Sequence, residues 1–208
     1  LNKALGKDKV TTKMKTDIAD LIKEVKKTKP DTYENGLARF NVNEYVARNI
    51  PHANTSKALQ IWKAGLLTSP RTTAGNIAAN SAETVLRKGY VDPLATALDK
   101  AFSVFTGKRS RAYTGKGLLG GAKEGTVKGV RYFKTGYDPR NPMQKFDVRS
   151  IHYSDKPLGR AAERYTQGVF RLMGAQDQPF YYAALRNSLY DQALTEAKNK
   201  GLSGAKSK

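Results

Sequence analysis

The sequence predicts an all-α fold, and three observations predict it. Apolar residues recur at spacings of three and four along most of the chain, as they do on one face of a helix. The marked segments carry helix punctuation, with Asp, Ser or Thr near the front, often followed by proline, and glycine behind. No stretch sustains the apolar–polar alternation of a strand. The expected architecture is several amphipathic helices, in a bundle or an extended helical assembly. Hydrophobic content of 39% lies below the roughly 45–50% usual for globular chains, so helices braced by partners fit as well as a compact core.

Residues 1–53 read as a basic N-terminal helical segment. From Lys9 to Thr28, Val10, Met14, Ile18, Leu21, Ile22 and Val25 make one apolar stripe. Lys26, Lys27 and Lys29 crowd its end, where cations suit the helix dipole, and Pro30 closes it. Beyond it, Asp31 is placed to cap a short helix that Gly36 ends. Asn43 is placed to cap another from Glu44 to Asn49, which Pro51 stops.

Residues 54–135 read as a central helical region with small-residue packing faces. A helix starts near Thr55 or Ser56, with Leu59, Trp62, Leu66 and Leu67 as its expected buried side. Ser69-Pro70 breaks it, because the residue before proline is pushed out of helical geometry. Pro70 then opens a second helix reaching about Lys88, with Ala74, Ala78 and Ala82 on one face and Gly89 as its stop. Asp92-Pro93 repeats the start signal, Leu94, Ala97, Leu98, Ala101, Phe102 and Phe105 form the next apolar face, and Gly107 ends it. From Leu118 to Thr135, Gly117, Gly121, Gly125 and Gly129 recur every four residues along one side. An interior glycine costs about 1 kcal/mol of helix stability relative to alanine, so a row of them calls for a neighbour lying on the bare backbone. The expected neighbour is the Ala74, Ala78, Ala82 face or another subunit.

Residues 136–157 read as an irregular linker, on Gly136, Asp138-Pro139, Asn141-Pro142, Asp147 and Lys156-Pro157. Residues 158–200 read as a C-terminal helical hairpin. Its first helix ends at Gly174, and Asp177 with Pro179 opens the second. Residues 201–208 are expected to be a flexible basic tail. A chain that begins at Leu1 is read as a processed product or a piece of something longer. Lys3, Lys7, Asp8 and Lys9 interrupt any apolar signal-peptide region.

Lys and Arg number 37 against 18 Asp and Glu, a formal net charge of +19. Such an excess repels itself and attracts polyanions: nucleic acid, anionic lipid or an acidic protein surface. The candidate anion-binding residues are Lys108, Arg109, Arg111, Lys116, Lys123, Lys128, Arg131 and Lys134, interleaved with Tyr113, Tyr132, Phe133 and Tyr137. Phosphate contact needs only positive charge, and no motif for reading base sequence accompanies it.

Catalytic and cofactor chemistry finds little footing. The chain has no cysteine, which excludes disulfides and thiolate metal sites. His52 and His152 are the only histidines, and no ligand set for a metal is legible around either. Gly115-Lys116-Gly117-Leu118-Leu119-Gly120 matches a dinucleotide fingerprint formally but lacks the preceding strand that fingerprint needs. The expectation is a non-enzymatic protein with no cofactor and no metal.

Two patches carry a resemblance. The first runs through Ile61-Trp62, Leu66-Leu67-Thr68-Ser69-Pro70-Arg71-Thr72 and Asn76-Ile77-Ala78-Ala79-Asn80; the second is Phe170 to Phe180, followed by Ala183 and Ala184. In them the chain resembles the large internal virion, or ejection, proteins of tailed bacteriophages. The resemblance implies a helical structural protein inside the capsid or at the portal or tail, released into the host on infection to help DNA cross the envelope. Implied partners are further copies of itself, portal or tail proteins, DNA, and a transient membrane contact. It brings no catalytic residues; Trp62, Arg71, Asn76, Asn80 and Asp177 carry over as structural anchors. The alternative, from charge alone, is a helical protein that binds nucleic acid without sequence preference.

Overall fold

A computed structural model describes residues 11–50, 54–140 and 151–202, and among these every regular element is helical. The order is α1 (Thr12–Lys27), α2 (Tyr33–Asn49), α3 (Asn54–Leu67), α4 (Pro70–Leu86), a π-helical turn (Arg87–Val91), α5 (Asp92–Thr106), α6 (Gly117–Thr135) and α7 (Pro157–Asn199). Two compact units are present. One comprises Leu1–Ser69 with Tyr132–Met173, the other Pro70–Arg131 with Gly174–Lys208. Both are built from discontinuous stretches, because α6 and α7 each contribute to both; the sequence division at 136–157 is contiguous and does not coincide with these boundaries.

In the first unit, α1 and α2 lie against each other. Thr11 caps α1 by accepting the Met14 N–H, and Thr32 caps α2 by accepting that of Asn35. The buried Asn35 amide donates to the Val25 and Thr28 carbonyls, so the start of α2 satisfies carbonyls that the end of α1 leaves open. Asp31 between them takes φ 61°, a left-handed turn that Asp tolerates better than most residues. Two expected helices in residues 31–49 are thus a single one. Gly36 does not stop it, because Tyr137 lies over the bare Gly36 backbone, its ring 5.3 Å from that of Tyr33 and 5.6 Å from that of Phe40. Neither Asp31 nor Asn43 caps.

Further along the same pair, the Tyr45 hydroxyl donates to Asp17 at 2.6 Å. Burial first, then the bond to Asp17 and its charge, push the Tyr45 hydroxyl up to about 12. The folded chain therefore holds this proton more tightly than the unfolded one. The contribution is complete below pH 10 and is lost as pH rises through about 12. Tyr45→Phe is expected to cost about 1–2 kcal/mol in urea denaturation at neutral pH, and a tyrosinate signal titrating near pH 12 should vanish with it.

Helix α3 turns the opposite way from expectation. Gln60 and Ala64 are buried, whereas Leu59, Trp62 and Leu66 are exposed, Trp62 at 61%. The inward side is made by small and polar groups, where Lys57 donates to the Tyr153 carbonyl; just past the helix the exposed Thr68 and Tyr165 hydroxyls bond each other. The described ends of the expected linker also belong to this unit. Tyr137 and Ile151 are buried, and Gly136 (φ 72°) closes α6 by donating to the Tyr132 carbonyl. Residues 141–150, like 1–10, 51–53 and the tail from 203, lie outside the described residues, and with them His52, Pro51, Asn141-Pro142 and Asp147.

In the second unit, α4 begins at Pro70 as expected, but Gly89 does not end the helical path and Asp92 does not cap α5. Asp92 is itself helical (φ −68°, ψ −43°), and its N–H reaches back five residues to the Arg87 carbonyl. Pro93 has no N–H for the Gly89 carbonyl, and the wider π turn absorbs that mismatch without breaking the rod. The Asp92 carboxylate is then free to take Lys88 Nζ at 2.7 Å. Helix α5 ends where predicted, at Gly107 (φ 68°), whose N–H bonds the Ser103 carbonyl.

The glycine row of α6 lies on α7. Gly117, Gly121, Gly125 and Gly129 are all buried. A Cβ added to them would stand 2.5 Å from Asn187 Cα, 2.7 Å from Ala183 Cα, 2.6 Å from Pro179 Cα and 2.7 Å from the Ala175 carbonyl oxygen. Each step of four up α6 meets a step of four down α7, so the helices run antiparallel with backbone on backbone. The expected partner face is corrected: Ala74, Ala78 and Ala82 on α4 are exposed, and nothing lies within 4 Å of a Cβ built at neighbouring Gly75.

The expected C-terminal hairpin is one helix, α7, which passes through both Gly174 and Pro179. Pro179 cannot donate to the Ala175 carbonyl. That carbonyl faces the bare Gly129, where a side chain's Cβ would stand 2.7 Å from it.

Candidate functional site

The residues singled out from the sequence fall into three groups in the structure. The first is the 108–116 loop, which is held rather than free. The Asp99 carboxylate accepts the Ser110 hydroxyl and the Ser110 and Arg111 N–H groups, with Arg109 at 3.8 Å. The Ser110 hydroxyl bond leads in pulling Asp99 below the usual carboxylate range; burial opposes it, and the two backbone bonds and the Arg109 charge reinforce the lowering. Asn199 on α7 makes a reciprocal pair with the Arg109 backbone at 2.9 Å each way. Two of the loop's cations therefore sit near carboxylates, Arg109 with Asp99 and Arg111 with Asp92 at 3.9 Å.

The second group is the α6 cations. Lys128 bonds Glu124 at 2.9 Å and lies 4.1 Å above the Tyr182 ring. Burial pulls its ammonium down, but Glu124 and Tyr182 together outweigh burial and hold it above its ordinary value. It clamps α6 to α7. Lys108, Lys116, Lys123, Arg131 and Lys134 are exposed.

The third group comes from the two resemblance patches. Asn80 on α4 and Asp177 on α7 face each other at 3.5 Å, so their polar anchors meet in the second unit. Arg71 is exposed and Asn76 half-buried. Trp62, in the first unit, faces solvent.

The buried polar groups are what the sequence does not announce. In the second unit a cavity of about 800 Å³ opens among α4, α5, the 110–113 loop, the start of α6 and α7. Lys88, Asp92, Arg111, Tyr113 and Asp191 line it. Burial pushes Asp191 up, against the Thr114 N–H bond and the Lys88 charge, which favour its anion. Burial first, then the Asp191 and Asp92 charges, push Tyr113 up. The neighbouring Asn187 is fully buried, donates to Asp191 at 2.8 Å, and is braced by Gly117 beneath it. Its four-residue spacing to Asp191 is the one signal of this pair in the sequence. In the first unit, His152 stands 3.4 Å from both Glu163 and Asp155. Asp155 is only three residues away and so was within reach of sequence reading; Glu163 comes from a separate element. Among the described residues no group of three or more His, Cys, Asp or Glu is arranged to hold a metal ion.

Lys88, Arg109 and Arg111 meet the Asp92 and Asp99 carboxylates, while Asp191 takes its bonds from the Asn187 amide and the Thr114 N–H. Set against family models, curated proteins and solved structures, the chain matches none.

Proposed function

We propose that this chain is a non-enzymatic structural protein of a tailed-phage particle, assembling with itself or with portal or tail proteins and delivered with the DNA. One observation carries the reading. Helix α3, which bears the Ile61-Trp62 and Leu66-Leu67 part of the resemblance, buries Gln60 and Ala64 and leaves Leu59, Trp62 and Leu66 outside. A tryptophan amid exposed leucines is the composition of an interface centre, where one aromatic anchor supplies a large share of the binding energy. The test is the protein's place in purified particles and the effect of Trp62→Ala with Leu66→Ala. Both residues are more than half exposed, so the variant should keep its helix content. Its incorporation into particles should fall at least tenfold. Absence of the wild-type chain from particles would end the reading.

A second reading, non-specific nucleic-acid binding, is favoured by the exposed Lys116 just before α6, the exposed Lys123 on it, and the net charge of +19. It requires DNA affinity that falls steeply between two salt concentrations. No binding at the lower salt removes it.

A further inference from the structure

The cavity of the second unit is acidic within a basic chain. Glu83 on α4, Asp92 on α5, and Asp191 and Glu196 on α7 line it, against Arg87, Lys88 and Arg111. In the chain as a whole cations outnumber carboxylates 37 to 18, so this wall reverses the general balance. Its pairing is uneven as well. Lys88 and Arg111 both go to Asp92, at 2.7 and 3.9 Å, and among the described residues no ion pair reaches Glu83, Asp191 or Glu196. Glu83 and Glu196 are exposed, whereas Asp191 is half-buried. Burial pushes the Asp191 carboxyl up, and the through-space charges of Lys88 and Asp92 oppose each other there. Helix α5 turns Asp92 and Thr96 to the cavity and leaves Leu94, Leu98, Phe102 and Phe105 exposed. The Thr96 hydroxyl oxygen is buried in that wall without a hydrogen-bond partner, a cost that an N–H donor in the cavity would remove. Tyr113 and Phe180 complete the lining with rings, whose faces attract cations and cover alkyl groups.

We infer that this cavity binds a short aliphatic diamine, one ammonium at Asp191 and the other at the exposed Glu83 and Glu196. Charge decides against an anion. A phosphate or carboxylate entering here would meet Asp191 and Asp92, and the Lys88 ammonium is already bonded to Asp92. The donor set decides against a bare metal ion, since among the described residues no group of three or more His, Cys, Asp or Glu is arranged to hold one. Size points to an organic ligand: the cavity's volume of about 800 Å³ falls within the roughly 300–1,000 Å³ of small-molecule sites. Spacing calls for two charges rather than one. Asp191 and Glu196 are separated by about 7.5 Å along the axis of α7, farther than a single ammonium bridges and within the span of a short diamine. An ammonium beside Asp191 also supplies the positive charge that its neutral donors, the Asn187 amide and the Thr114 N–H, do not.

The inference goes beyond the particle role and does not depend on it, because binding is read on the purified full chain. The experiment is calorimetric titration at low ionic strength with putrescine, butylamine, butanediol and succinate. Putrescine should bind, butylamine more weakly, and the neutral diol and the dianion not at all. Asp191→Asn keeps an acceptor for the Thr114 N–H and should weaken both amines at least about tenfold. Glu83→Gln with Glu196→Gln should bring putrescine down to the affinity of butylamine and leave butylamine unchanged. Both glutamates are exposed and outside any ion pair among the described residues, so this pair carries the test even where Asp191→Asn fails to fold. Wild-type protein that takes up no putrescine overturns the inference, as does binding of butanediol or succinate with equal strength. Putrescine affinity undiminished by the glutamine pair overturns it too. So does a wild-type oligomer that putrescine dissolves, which would give the cavity to a lysine side chain of a second copy.

Discussion

Gly121→Leu and Gly125→Leu are each expected to cost about 3 kcal/mol or more, and together to approach the whole stability of a domain of this size, about 5–15 kcal/mol. The reason is what stands opposite. At Gly121 a new Cβ meets the Tyr182 carbonyl and Ala183 Cα; at Gly125 it meets the Gln178 carbonyl and Pro179 Cα. These are main-chain atoms of α7 and cannot rotate aside as a side chain does, so α6 and α7 must separate along the whole row. Even alanine is informative. In an exposed helix Gly→Ala gains about 1 kcal/mol, and Gly75→Ala on α4, where nothing lies within 4 Å, should show that gain. Gly121→Ala should instead lose about 1–2 kcal/mol, the overpacking penalty exceeding the propensity gain. Urea denaturation of the two alanine variants reads both signs on one scale. A Gly121→Ala protein as stable as Gly75→Ala would mean that the helices are not in backbone contact.

The glycine row marks how much of the fold is legible in the chain. Spacing by four demands a neighbour, and one is there. Its identity is also written in the sequence, because Ala175, Pro179, Ala183 and Asn187 repeat the same spacing in the opposite direction; reading Pro179 as a break hides the match. Helix ends set by local chemistry are legible, as with Pro70 and Gly107. The facing of the helices is not. An apolar stripe implies an inward face on α3 and α5, yet in both the inward face is the polar one. Its partners, the Tyr153 carbonyl for Lys57 and the loop N–H groups for Asp99, lie far away or in irregular backbone that no periodicity encodes. The inversion concerns the candidate surfaces most directly, since exposed apolar stripes are what a partner or a bilayer would meet.

Arg48→Met is the second large expected effect, about 3 kcal/mol of lost stability in the first unit. Glu163 on α7 is only 4% exposed, and Arg48 on α2 forms an ion pair with it. Gln167 donates to the same carboxylate at 3.2 Å, and His152 stands 3.4 Å from its other oxygen. Removing the guanidinium takes away the permanent positive charge paired with this buried carboxylate, and the penalty of stranding a buried charge exceeds what the pair itself contributes. The partly exposed Arg48 holds the cost near the lower end of the usual 3–5 kcal/mol for such breaks. The asymmetry supplies the check. Glu163→Leu in the Arg48→Met background removes the stranded charge and should recover most of the loss, so the two substitutions together cost less than Arg48→Met alone. A double variant as unstable as the sum of the two singles would show that Arg48 and Glu163 act independently.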